Sequence, residues 1–181
     1  MKRILSLILL LIALPSLATA QQIPVTRCVS ATPTADTSAY ASGDLIGGKL
    51  TFTGALGDYT ATGYVVSVRI TDLAAQASDL DLVLFTQNPT NTTFTDQAAF
   101  DVADADLDKA LVPINLGSAS RFAFNDNSIH YVGHLFEPLY GVTSGGALST
   151  TIYGALISRG SPTFATAADV TVTICVSQDS Q

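Results

Sequence analysis

The sequence predicts an all-β fold, a single β-sandwich of jelly-roll or immunoglobulin-like type. Three observations predict it. Apolar residues alternate with polar ones at period two in segment after segment, the signature of half-buried strands. Clusters of Gly, Pro, Asn and Asp punctuate those segments. Lys, Glu and Gln, which fill helix surfaces, are few, whereas Thr is abundant. The length of 181 residues suits one domain, and a hydrophobic fraction of 48% excludes a disordered chain. With 8 Lys and Arg against 15 Asp and Glu, and no basic cluster, nucleic acid is not an expected partner.

The first segment lies outside the sandwich. Lys2 and Arg3 precede the apolar run Ile4 to Leu14, then Pro15, then Ala18-Thr19-Ala20, the charged, apolar and small-residue parts of a secretory signal peptide. Residues 1–20 are therefore read as a leader and 21–181 as the mature domain. The run ends short of the roughly 20 residues needed to cross hydrocarbon, so no membrane anchor is expected after cleavage. The expected location is outside the cytoplasm: periplasm, extracellular space or cell surface. Loss of Lys2 and Arg3 leaves 6 Lys and Arg against 15 Asp and Glu.

The strands follow in order. Ile23 to Ser30 puts Thr26, Cys28 and Ser30 on one face and Val25, Arg27 and Val29 on the other. Leu45 to Gly54 turns Leu50 and Phe52 inward. Tyr64, Val66, Val68 and Ile70 alternate with Val65, Ser67, Arg69 and Thr71, and Leu80, Leu82 and Leu84 alternate with Asp79, Asp81 and Val83. Leu111 to Leu116, Arg121 to Phe124 and Ile129 to Phe136 are further strands. Thr150 to Ser158 is apolar on both faces, as a central strand would be. The last strand, Asp169 to Val176, turns Val170, Val172, Ile174 and Val176 one way and Thr171, Thr173 and Cys175 the other. Cys28 and Cys175 thus both look outward on terminal strands. An even cysteine count in an exported chain predicts a disulfide between them.

One stretch departs from period two. Thr93 to Leu111 fits one or two short helical turns near 95–110, with Thr95 and Asp101 as candidate caps. Asp101, Asp104, Asp106 and Asp108 place four hard carboxylates within eight residues, a candidate calcium site. The competing assignment, favoured because the pattern matches no EF-hand loop, makes them caps and solubilising charge. Calcium is thus the one cofactor considered, and no metal site is firmly predicted.

Other candidate chemistry is sparse. His130 and His134, four apart on an extended strand, would stand about 13 Å apart, too far to share an ion. Asp79 and Asp81 share a strand face, as paired glycosidase carboxylates would, but with 14 Asp and a single Glu in the chain they read as surface charge. Asn91-Thr92-Thr93 is a glycosylation sequon. No nucleophile elbow, zinc-protease helix or phosphate loop occurs, so no catalytic residue is assigned and the chain is read as a non-enzyme.

The string Thr37 to Phe52 (TSAYASGDLIGGKLTF), with Ser67 to Leu84, FTQNPTNTTFTDQAAF at 85–100, Asp104 to Leu107 and Leu148 to Pro162, resembles a group of tailed-bacteriophage proteins regarded as virion components. The resemblance implies a compact β-sandwich module used in particle or fibre assembly, whose partners are itself or other structural proteins of a virion. It carries no catalytic residues. The signal peptide and cysteine pair are additions to that pattern. They imply an exported cellular relative, or an element whose structural proteins pass through a membrane. The expected function is a non-enzymatic exported structural module acting through self-association or assembly. The alternative is a secreted carbohydrate-binding or adhesion module with a glycan partner. The candidate contact surface consists of Tyr40, in the Asp36 to Gly48 segment, and Tyr131, Phe136 and Tyr140, with core packing as the competing assignment for each.

Overall fold

The structure is a computed structural model that describes residues 24–57, 61–111, 113–143 and 145–179. The signal peptide expected at 1–20 lies outside the described residues. Among those described, no helix is long and apolar enough to cross a membrane.

Among the described residues, nine strands form two antiparallel sheets: β1 (Pro24–Ala31), β2 (Leu50–Phe52), β3 (Thr62–Asp72), β4 (Leu80–Phe85), β5 (Ile114–Leu116), β6 (Arg121–Ala123), β7 (Ser128–Tyr140), β8 (Ile152–Ser158) and β9 (Val170–Asp179). One sheet runs β1-β9-β3-β7-β6 and the other β2-β8-β4-β5. Pairing is nested along the chain, β1 with β9, β2 with β8, β3 with β7 and β4 with β5, as if one long hairpin had been rolled up. Successive pairs alternate between the sheets, which is the jelly-roll arrangement, with β6 added as a hairpin partner of β7. Of the two sandwich types expected, the strand order selects the jelly roll.

The core lies between the sheets. Val65, Val68, Ile70, Val172, Ile174 and Val176 from the five-stranded sheet meet Phe52, Leu82, Leu84, Ile152 and Leu156 from the other. The period-two assignment of β9 holds: all four of its inward residues are buried. In β3 a β-bulge resets the parity. Val65 pairs with Glu137 and Ser67 with Gly133, so one β3 residue faces three of β7, and Val65 rather than Val66 points inward.

Two expectations change. The segment read as a strand from Leu45 is strand only at Leu50–Phe52, because Gly47 (φ +72°) and Gly48 (φ +89°) turn the chain. A Cβ at Gly47 would stand 2.5 Å from the Pro33 Cβ, so the turn requires glycine. The expected helical turns reduce to a 3-10 turn at Asp104–Lys109. Its N-cap is Ala103, without a side-chain cap, so neither Thr95 nor Asp101 caps it.

β4 is buried on both faces, although its sequence reads as half-polar. A second apolar cluster explains this. Val83 and Phe85 of β4, Ala155 and Ile157 of β8, and Leu45 are covered by Phe94, Phe100, Val102 and Ala110 from the connection between β4 and β5. That connection is fastened by backbone bonds from Leu45 to Ala98, Gln97 to Leu45 and Phe100 to Gly43. The four-stranded sheet therefore has its outer face covered by its own chain.

Candidate functional site

The acidic connection is organised around one inward residue. Asp106 is fully buried. One of its oxygens accepts hydrogen bonds from the backbone N–H of Asn91 (2.8 Å), the backbone N–H of Thr92 (2.7 Å) and the Thr92 hydroxyl (2.9 Å). The other accepts from the Asn91 side-chain amide (3.2 Å) and pairs with the Lys109 ammonium. Burial alone would raise its pKa, but Lys109 and the Thr92 and Asn91 donors outweigh it and hold the carboxyl well below the usual carboxylate range. Asp101, Asp104 and Asp108 are exposed, so the four carboxylates do not form one ligand set in this structure. Among the described residues, no group of three or more His, Cys, Asp or Glu is placed to hold a metal. Beside this loop lies an open depression of about 280 Å³ lined by Asn91, Thr93, Thr95, Phe100 and Asp101 among others. The sequon amide of Asn91 is turned to Asp106.

The other candidate acids and histidines are also separated. Asp81 is buried and pairs with Arg159 Nε (2.7 Å) while accepting from the Asn115 amide (2.9 Å), whereas Asp79 is exposed. His130 is buried with Nδ1 3.0 Å from the Leu116 carbonyl, and burial lowers its pKa. His134 is exposed in the bulge of β7, at φ +59°.

The expected contact residues divide. Tyr40 is only 2% exposed, which corrects its assignment to the surface. Its ring packs edge-on against Phe164 at 5.7 Å. Its hydroxyl donates to Asp96 (2.8 Å) and accepts from the Asp36 N–H (2.7 Å), while Asp96 also takes the Gly47 N–H (2.6 Å). Burial and the bond to Asp96 both raise the phenol pKa. Tyr40 thus ties two loops together, a role that strand periodicity cannot register because neither loop is a strand.

Tyr131, Phe136 and Tyr140 are exposed, Phe136 at 76%. Tyr131 stands opposite Arg69 of β3. Its ring lies over Gly133, where an added Cβ would come within 2.6 Å of the Tyr131 oxygen. Sequence reasoning missed three further exposed rings, Tyr64, Phe122 and Phe124. Phe122 pairs with Ile129 and stacks edge-on against Phe124 at 4.9 Å. The alternation of Phe122 and Phe124 about Ala123 was a usable signal, but it gains meaning only once β6 is known to pair with β7.

At the other side of the same sheet, Cys28 and Cys175 face each other in register and form the disulfide, their Cα atoms 4.0 Å apart. Both terminal strands therefore belong to one clamped pair. Beside it, Ser30 and Thr173 share a hydrogen bond of 2.8 Å and Thr32 and Thr171 one of 3.3 Å.

No protein-family model and no curated protein matches the chain. The resemblance to tailed-phage virion proteins therefore stands without a family match. A solved chain of Desmodium yellow mottle tymovirus is similar over 100% of this chain and 97% of its own, at 13% identity and a TM-score of 0.25. The assignment of an all-β sandwich rests on the two sheets described above.

Proposed function

We propose that the protein is a non-enzymatic, exported structural module that works by self-association or by assembly onto a larger particle. The observation that carries this reading is the set of exposed rings on β7 and on β6 and the residue after it, namely Phe122, Phe124, Tyr131, Phe136 and Tyr140. Apolar groups gathered on one face mark interaction surfaces more often than isolated exposed residues do. The disulfide, suited to an oxidising compartment, supports export. Capsid decoration or fibre formation, implied by the phage resemblance, is the finer form of this role. Jelly rolls serve as capsid and lectin domains alike, so the fold is compatible with it without selecting it.

Light scattering across a concentration series tests the reading. The mean mass of the purified protein rises with concentration if it self-associates, and a strictly monomeric protein that also fails to bind any particle or surface component would overturn the proposal. A second reading, glycan binding, is favoured by one feature: the Tyr131 ring laid over Gly133 with Arg69 opposite, a platform on which a sugar face could stack. Binding on a glycan array would select it.

A further inference from the structure

The two outer faces of the sandwich are covered differently. That of the four-stranded sheet is covered by Phe94, Phe100, Val102 and Ala110 from the β4–β5 connection. Among the described residues, the five-stranded sheet has no such cover. Register gives four consecutive outward rows, Thr26–Ser177–Tyr64–Pro138, Cys28–Cys175–Ser67–Gly133, Ser30–Thr173–Arg69–Tyr131, and Thr171–Thr71–Ile129–Phe122, with the pairs Pro24–Asp179 and Thr62–Tyr140 beyond the first. None of the chain's 15 Asp and Glu stands in these four rows, the nearest acid at an outward register position being Asp179 beyond the first of them, and Arg69 is their single charge.

Resting on the self-association reading above, we infer that this face is where a second copy of the chain docks, sheet against sheet. Charge distribution argues for a second copy. Two molecules with a large acidic excess repel wherever carboxylates approach, and these four rows let them meet with Asp179 left at the margin of the contact. Hydroxyls bonded within the sheet, as in Ser30 with Thr173, leave fewer groups for water to satisfy, while exposed Tyr131 and Phe122 and half-buried Ile129 supply apolar area. The alternative of side-by-side pairing through β7 is obstructed. Past His130 that strand is an edge, but it carries the bulge around His134 and also Pro138, two devices that prevent strand addition.

The size of the contact sets its strength. Four rows of four positions, each position about 4.8 Å by about 6.8 Å, give roughly 500 Å² per copy, or about 1,000 Å² in all. That is the low end for a specific interface, near 1,000–1,200 Å², so association is reversible and concentration-dependent.

The test uses the full exported chain and two face variants, Tyr131→Asp and Phe122→Asp, each placing a charge at an exposed position. A control, Leu107→Asp, alters an exposed leucine on the 3-10 turn away from this face. Sedimentation equilibrium is expected to show self-association weakened at least about tenfold in both face variants and unchanged in the control, since an unpaired charge buried at an interface costs more than 1.4 kcal/mol. Unchanged melting temperatures confirm that the variants fold. If the wild type and face variants associate equally, this docking face is overturned while the self-association reading stands. If the wild type does not associate at all, that reading fails and the second copy with it. If the wild type stays monomeric and glycan binding is lost in Tyr131→Asp, the occupant of the face is a sugar.

Discussion

Asp106 shows how much of one residue's role depends on what surrounds it. Four acids in eight residues suggest an ion site, yet the one that turns inward is neutralised by Lys109 and by donors from Asn91 and Thr92. Its orientation was not legible because the spacing was read on a helix, whereas a 3-10 turn distributes the side chains differently. Asp106→Asn keeps the shape but leaves Lys109 without its counter-charge. A loss of about 2–3 kcal/mol is expected, which thermal unfolding should show as a fall of roughly 5–10 °C. Because the folded-state pKa is depressed, this stabilisation is fully present above the unfolded carboxyl value of about 4 and disappears as pH falls through the folded value. Melts of wild type and variant should therefore differ at neutral pH and converge in strong acid. A difference that persisted unchanged in strong acid would contradict the assigned ion pair.

Among the elements, strands were legible wherever one face met the core and the other met solvent, as in β9. β4 was legible as a strand but not in its surroundings. Asp81 and Val83 looked outward to water, and what covers them comes from elsewhere: Arg159 follows β8, and Phe94 sits in the connection. Period two reports which residues share a face and says nothing about a loop that returns over it. The dependence can be measured. Phe94→Ala removes part of the cover, and hydrogen exchange at the amides of Gln97 and Phe100, which fasten the connection, is expected to accelerate at least about tenfold, with Val68 and Ile174 in the sheet unchanged. Equal acceleration everywhere would mean that the connection does not open separately from the sandwich.

For the whole molecule, the parity of Cys28 and Cys175 foretold the bridge, but not the jelly-roll order, which depends on non-local choices among strands of similar composition. Nor did it foretell the aromatic face, since Phe122 and Tyr131 meet only through that order. The bridge spans a sequence separation of 147 residues. Restricting so long a loop in the unfolded chain stabilises the fold by about 5 kcal/mol in the chain-entropy treatment. Reduction, or the double substitution Cys28→Ser with Cys175→Ser, should lower the melting temperature by about 10–20 °C for a chain of this size. An unchanged melt on reduction would show that the strand pairing alone holds the ends.

The same bridge has a consequence for durability against proteases. It joins the first strand to the last, so nearly every surface loop lies within a covalent ring. A protease that cuts one of those loops opens the ring without producing two separate pieces. The fragments stay tethered through the sulfur bond and registered by the β1–β9 ladder. A single nick is then damage from which the folded domain can keep its shape, whereas in a chain without the bridge the same nick would set a piece free.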